Sequence, residues 1–368
     1  MGKRPFDYTL LVLTIVLVLF GIVMVFSASF YVAENSPSTN YNGYYYFWKQ
    51  VSGAAIGLVA MIAAMFFDYN KFLKLRYIIL GIALVLMLLV FVPGVGIEIN
   101  GSRRWVNLYF LDLQSVEVLK FAIIVFLAGS ISIHQDRMRT FRYGMLPGLV
   151  LLAISAVLLY FQPNFSAVVT LALLVFVMVL VGGANLLQFA VMGVLGIAGG
   201  VVAMVATDYR INRILAFTDP WKYSGDLSYQ LIQSLYSIGS GGLFGLGLGN
   251  SRQKFLYLPY SESDCIFAII VEELGYVGGL AVLVVFGLLI WRGVRIALRA
   301  PNTFGMMLAT GITGLIAIQV FINIGVVTGL VPPTGVVLPF ISAGRTSLIM
   351  FMGSIGVLLN ISRQTRAV

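Results

Sequence analysis

Cysteine and histidine are all but missing from this 368-residue chain, which has one of each, Cys265 and His134. One thiol excludes an internal disulfide, and one thiol with one imidazole cannot build a Cys/His zinc centre. A metal would need oxygen ligands, so a divalent cation, Mg²⁺ or Mn²⁺, is the one to expect. Charge is scarce too. Asp, Glu, Lys and Arg make up 10% of the residues, against about 25% in an ordinary soluble domain. The glycine signatures of nucleotide cofactors are also absent. "GSGGLFGLGLGN" (239–250) has neither the Gly-Lys-Ser/Thr end of a P-loop nor a G-x-G-x-x-G between a strand and a helix. It reads as flexible turns and close helix packing, and no organic cofactor is expected.

What the chain has in excess is apolar surface. It is 60% hydrophobic, with a mean hydropathy of +0.98, and apolar runs of about 20 residues recur along its length. In a bilayer each such run must satisfy its own backbone, so the expectation is an all-α polytopic integral membrane protein. About ten spans are predicted, at roughly 9–30, 50–67, 77–93, 115–133, 145–162, 165–181, 187–206, 265–291, 304–329 and 340–360, in a single membrane domain covering 1–368. The run from Leu10 to Phe26 behind Lys3 and Arg4 exceeds the roughly 7–15 residues of a signal-peptide core, so it reads as an uncleaved first span. Alternate loops carry the basic residues, among them Lys71, Lys74, Arg137, Arg142, Arg295 and Arg363. That asymmetry puts both termini on the cytoplasmic side, and it accounts for the net charge of +9 without a nucleic-acid partner. Residues 207–264 form a long outer loop, too apolar and aromatic for a disordered linker and expected to pack on the outer face. Within it, "SLYSIGSGG" has the makings of an amphipathic helix.

Four acids crowd one end of a span in "SESDCIFAIIVEELG" (261–275): Glu262, Asp264, Glu272 and Glu273. Drawn on one continuous helix, Asp264 and Glu272 are about 80° apart in azimuth and about 12 Å apart in height, with Glu273 on the other side. Asp264 would then stand at the outer mouth, unless Ser263 or Asp264 only caps the helix. "LQSVEVLKF" (113–121) sets Glu117 and Lys120 three apart on one helix face. They read either as a neutralising pair or as a cavity acid beside a cation that holds an anionic group. "INGSRRWVNL" (99–108) puts Arg103 and Arg104 beside Trp105. That is either an interfacial anchor or a clamp for a phosphate-bearing lipid.

Taken in order, "NGSRRWV", "YQLIQSLYSIGSGGLFGLGLGNSRQKFLYLP", "SESDCIFAIIVEELG" and "INIGVVTGLVPPTGVVLPFISAG" resemble the SEDS family (shape, elongation, division and sporulation), the RodA, FtsW and SpoVE group. The likeness runs from the first span to the last, and the "VLLNISR" ending is similar to the SpoVE and FtsW branch. It implies a peptidoglycan glycosyltransferase that polymerises lipid II at the outer face of the cytoplasmic membrane. It also implies a class B penicillin-binding protein as partner. The family's essential aspartate, in its Ser/Thr-Asp-Phe motif, falls on Asp264. Residues matched to substrate binding are Glu117, Lys120, Arg103, Arg104, Arg213, Gln233, Ser234, Lys254 and Ser342. The pattern departs in places. Gln-Pro-Ser-Glu reads Gln114-Ser115-Val116-Glu117, and Gln-Pro-Asp reads Gln162-Pro163-Asn164. Leu-Pro-Glu reads Leu258-Pro259-Tyr260, the Phe after the key aspartate is Cys265, and Arg345 replaces one of two glycines after Ser342.

The implied reaction moves the anomeric carbon of a lipid-linked sugar diphosphate onto a sugar hydroxyl. Asp264 would take the hydroxyl proton, and the outer-side cations Arg103, Arg104, Lys120, Arg213 and Lys254, with a bridging Mg²⁺ or Mn²⁺, would hold the diphosphate. Two other readings stay open: a lipid II flippase and a non-catalytic scaffold for the penicillin-binding protein.

Overall fold

The computed structural model describes residues 6–99, 102–107, 112–205, 217–222 and 228–364. Helices fall where the apolar runs do: α1 (Tyr8–Glu34), α2 (Tyr45–Phe66), α3 (Asn70–Leu89), α4 (Ser115–Ile133), α5 (Leu146–Phe161), α6 (Phe165–Val181) and α7 (Leu186–Val205). After them come α8 (Tyr229–Ser240), α9 (Ile266–Leu298), α10 (Thr303–Val327) and α11 (Arg345–Arg363). Among the described residues, seven helices (α1–α4 and α9–α11) are long and apolar enough to cross a membrane, while α5 and α6 are apolar but shorter. The chain is a polytopic helical membrane protein.

Burial sorts the helices into inner and outer. The apolar windows of α4, α10 and α11 are 67%, 67% and 72% buried, against 17% for α3 and 28% for α2 and α9. Lipid tails are as apolar as Leu, so close approach rather than hydrophobicity holds such helices together. On α2, Gly53 and Gly57 stand four apart, and a Cβ on either would meet Arg345 or Met352 of α11. At one end of the bundle Asp7 caps α1 by accepting from Leu10 N (3.1 Å) and pairs with Arg292 of α9 at 2.7 Å. That fixes the ends of α1 and α9 side by side.

Two features depart from the purely helical expectation. The α3–α4 connection holds a three-stranded antiparallel sheet, β1 (Gly96–Ile99), β2 (Ser102–Asn107) and β3 (Asp112–Gln114), in which Ile97 faces Trp105 and Trp105 faces Gln114. Asn-Gly at 100–101, between two β-rich runs, is the sequence signal for such a pairing. A search by helical period passes over it. The second feature is a break in α9 at Gly275, whose φ of 72° and ψ of −176° are not helical. Only glycine adopts that backbone freely. The carbonyls freed by the break are met by the glycine-rich segment after α8. Leu246 N donates to Glu272 O and Gly247 N to Glu273 O, both at 2.9 Å, and Tyr276 N donates to Gly242 O at 2.9 Å. A Cβ at Gly241 or Gly245 would run into the α9 backbone. These glycines serve close backbone packing.

Candidate active site

Asp264 is not on a helix. α9 starts at Ile266 with Cys265 as its N-cap residue, and no side chain caps it. The helical projection from Asp264 to Glu272 therefore does not apply, and neither Ser263 nor Asp264 is a cap. Asp264 instead rides on a tight turn in which Ser263 N and Cys265 N both donate to Tyr260 O (3.1 and 3.2 Å). Three outside contacts fix this turn. Asn323 Nδ2 of α10 donates to Asp264 O (2.8 Å) and to Val336 O (2.7 Å). Ser342 Oγ donates to Ser263 O (2.7 Å) while accepting from Leu338 N (2.8 Å). Ala343 N donates to Glu262 O (2.9 Å). The loop between α10 and α11, with Asn323 of α10, thus holds the backbone of the turn and makes no hydrogen bond to the Asp264 carboxylate among the described residues. The motif-matched Ser342 works in this clamp through its hydroxyl.

Asp264 is half-buried, and among the described residues its carboxylate accepts no hydrogen bond from a side chain or backbone. Burial is the largest influence on it and the Glu262 carboxylate the next. Together they push its pKa up to about 7, against the opposing pull of the Arg104 guanidinium. Glu262 is itself buried, with Ser261 Oγ 3.5 Å from Oε2, and burial raises its pKa as well. Paired acids in a half-closed site are the arrangement that brings a carboxylate into the working range of a general base.

β2 carries Arg104 as an extra residue at a register shift against β1, where Trp105 faces Ile97 and Arg103 faces Glu98, and the two arginines find different partners. Arg103 is exposed and pairs with Glu98 at 2.9 Å. Arg104 donates to the carbonyls of Gln162 (3.3 Å) and Pro163, on the Asp264 side. They do not form one clamp. Asn164, where the family pattern has an aspartate, caps α6 by accepting from Ala167 N at 3.3 Å. Ser166, two residues on, accepts from Gly335 N (3.3 Å), and a Cβ on Gly335 would lie 3.3 Å from Asp264 Oδ2. The start of α6, the 331–337 segment and Arg104 therefore converge on Asp264. Nearby, Glu98, Arg103, Leu88, Phe91, Leu158 and Phe161 line an open cleft of about 530 Å³ with Pro163 at its edge.

The remaining motif residues fall elsewhere. Lys120 Nζ and Glu117 Oε1 are 2.7 Å apart, both side chains nearly buried in α4, and among the described residues the pair has no hydrogen bond to the Asp264 turn. Lys254 Nζ is 3.0 Å from Glu273 Oε1 and 3.3 Å from Ser27 Oγ, its charge met inside the protein. Ser234 is buried on α8 and donates to Gln230 O (2.8 Å) and toward Cys265 Sγ (3.5 Å). Gln233 is half-buried on the same helix, and Arg213 lies outside the described residues. Asn323 and the sheet were not singled out from the sequence as parts of this region, whereas Arg345 was marked only as a departure from the motif after Ser342. Asn323 is a polar residue inside an apolar span, which is the signal that marks it. Arg345 lies 3.9 Å from Asp112 of β3.

The family profile for FtsW, RodA and SpoVE, described as cell cycle protein, matches residues 8–367. Stage V sporulation protein E of Bacillus subtilis (strain 168) is 41% identical over 364 residues, covering 99% of both chains. A probable peptidoglycan glycosyltransferase FtsW of Trichlorobacter lovleyi is 39% identical over 365 residues, covering 98% of this chain and 95% of that one. Among solved structures, a chain from work on the structural coordination of polymerization and crosslinking by a peptidoglycan synthase complex superposes with a TM-score of 0.79. It is 26% identical, covering 97% of this chain and 98% of that one. The rod shape determining protein RodA of Thermus thermophilus superposes at 0.70 with 26% identity, covering 99% and 98%.

Proposed function

Because the chain belongs to the FtsW, RodA and SpoVE family, we propose that it is a peptidoglycan glycosyltransferase that polymerises lipid II, with Asp264 as its general base. The observation that carries the reading is the Asp264 carboxylate. It is half-open and unbonded among the described residues, and burial, with the Glu262 carboxylate, raises its pKa to about 7 against the pull of Arg104. An unperturbed aspartate, at about 3.9, is a weak base at neutral pH. One raised to about 7 is far better matched to removing a hydroxyl proton. Inversion at an anomeric carbon needs one base on the face opposite the leaving group, so a single carboxylate suffices. Arg104 is the cation placed to meet the departing diphosphate. Arg103, on the rim of the apolar cleft, suits the lipid end of the donor.

Among the described residues no three His, Cys, Asp or Glu side chains come together as a metal site, so those residues alone do not make a site for a resident ion. A divalent cation would arrive on the substrate's own diphosphate. Excess EDTA is expected to slow polymerisation, with Mg²⁺ or Mn²⁺ restoring it; full activity in EDTA would leave the arginines as the sole counter-charges. The Lys/Arg asymmetry of the loops supports about ten spans, cytoplasmic termini and an outer-facing Asp264. The expected partner is a class B penicillin-binding protein that crosslinks the strands.

The test is the purified protein, with its partner, given labelled lipid II in detergent. Ladders of glycan product are expected. Lipid movement in sealed vesicles without ladders would favour a flippase, and neither activity would favour a scaffold.

A further inference from the structure

Glu272 has no part in the chemistry above, yet it is wholly buried and among the described residues pairs with no cation. Four donors surround it instead. Arg252 N (2.8 Å) and Gln253 N (3.4 Å) approach Oε1, while Ser237 Oγ (2.8 Å) and Ser251 Oγ (2.6 Å) approach Oε2. Ser237 belongs to α8, and two more α8 residues lie above it on the same face. Gln230 Nε2 and Ser234 Oγ both reach Cys265 Sγ, at 3.0 and 3.5 Å, and Ser237 Oγ also donates to Ala268 O at 3.1 Å. A polar seam thus runs along the first two turns of α9, anchored at its deep end by Glu272 and ending at the residue bonded to Asp264.

We infer that Glu272 is a positioning residue which, through Ser237, seats α8 over the Asp264 turn and so fixes the base. Cys265, where the family pattern has a Phe, is a thiol small enough for Gln230 and Ser234 to close over it, and it is fully covered. α8 is bound to α9 here by side-chain hydrogen bonds, so losing its anchor frees it to lift away from Cys265. The role in catalysis rests on Asp264 being the base, but the seating of α8 does not, and the two can be read separately.

The only thiol in the chain reports the seating directly. In the full-length protein in detergent, Cys265 is expected to react slowly with a maleimide. Losing a buried hydrogen bond to a charged group shifts a local opening equilibrium about tenfold or more. Ser237→Ala, a small change that leaves the other three donors of Glu272 in place, should therefore speed labelling by about that factor. Glu272→Gln should do so at least as much. Ser251→Ala cuts the same carboxylate's bond to a different segment and should leave Cys265 shielded. With lipid II, Ser237→Ala should lower kcat several-fold and change KM less, because it disturbs the base while Arg103 and Arg104 lie off α8. Unchanged Cys265 labelling in both Ser237→Ala and Glu272→Gln would overturn the seating of α8. Faster labelling with an unaltered kcat would overturn the positioning role. Absence of polymerisation by the unmodified protein would count against the catalytic reading and leave the labelling result standing.

Discussion

Two pairs of acids lie within twelve residues of each other at the start of α9, and they differ in how fully hydrogen-bond donors meet them. Glu272 and Glu273 are fully buried, and among the described residues hydrogen-bond donors surround both. Glu272 takes two serine hydroxyls and two backbone amides. Glu273 takes Ser27, Ser251 N and the Lys254 ammonium. Glu262 and Asp264 have far fewer partners and repel one another, and their pKa values rise. Buried carboxylates whose lone pairs are all met tie segments together. A carboxylate left short of partners in a half-open site is available for a proton. The same residue types, one helical segment apart, tie segments together in one place and, on the proposed reading, do the chemistry in the other, because of what surrounds them.

The largest effect should come from deleting the reactive member. Asp264→Asn keeps the shape and removes the base, and polymerisation of labelled lipid II should fall at least about 100-fold. Its stability should move the other way. The folded pKa of about 7 lies above the usual 3.8, so between those values the folded state holds a proton that the unfolded chain has released. The wild type therefore loses stability as pH rises through that window, by at most about 1.4 kcal/mol per unit. The Asn variant is spared this loss, so its advantage in a thermal melt should be greatest at pH 8 and vanish near pH 4. Equal melting curves at pH 8 would mean that Asp264 is better solvated than its surroundings imply.

Breaking the structural pair should show the opposite signature. Glu273→Ala strands the Lys254 ammonium in a buried site, a change that costs about 3–5 kcal/mol. Replacing both, Glu273→Gln with Lys254→Met, should recover most of the stability. A double variant that melts no better than the single one would show that Ser27 and Ser251, and not the ion pair, make up the tie. Glu117 and Lys120, 2.7 Å apart in α4, allow the same comparison with a sharper question attached. If the pair only neutralises itself, the Gln/Met double variant should fold and polymerise. If Lys120 also holds the donor, that variant should fold and stay inactive.

How much of this was legible in advance follows from which interactions are local. Helix positions were, since an apolar run of bilayer length leaves its backbone no other way to bond. The boundaries at Ser115 and Phe165 follow directly from residue pattern. Asp264 could be picked out through motif likeness. Its environment could not, because Arg104, Asn323 and Gly335 reach it from distant parts of the chain. Lys254 is the instructive case: charge and position in the sequence suggest a substrate-facing cation, and only the fold brings Glu273 to it. The sheet was hidden for a different reason. Its strands are three to six residues long, too short for a period to register against the helical runs on either side.

The smallest effects should fall on the two groups that tune Asp264 without replacing it. Glu262 raises its pKa and Arg104 lowers it, both less than burial does. Tyr46 of α2 and the Cys265 thiol also lie within electrostatic reach of Glu262, and as a neutral phenol and a neutral thiol they add no charge near pH 7. A general base works when deprotonated, so the acid limb of the rate profile tracks the pKa of Asp264. Glu262→Gln removes the repulsion, and the limb should move to lower pH. Arg104→Gln removes the attraction, and the limb should move to higher pH, with a further loss of rate at every pH if the guanidinium also meets the diphosphate. Shifts in the same direction would place some other group on the limb. With opposite shifts, the ratio of the two displacements measures which neighbour stands closer to the base.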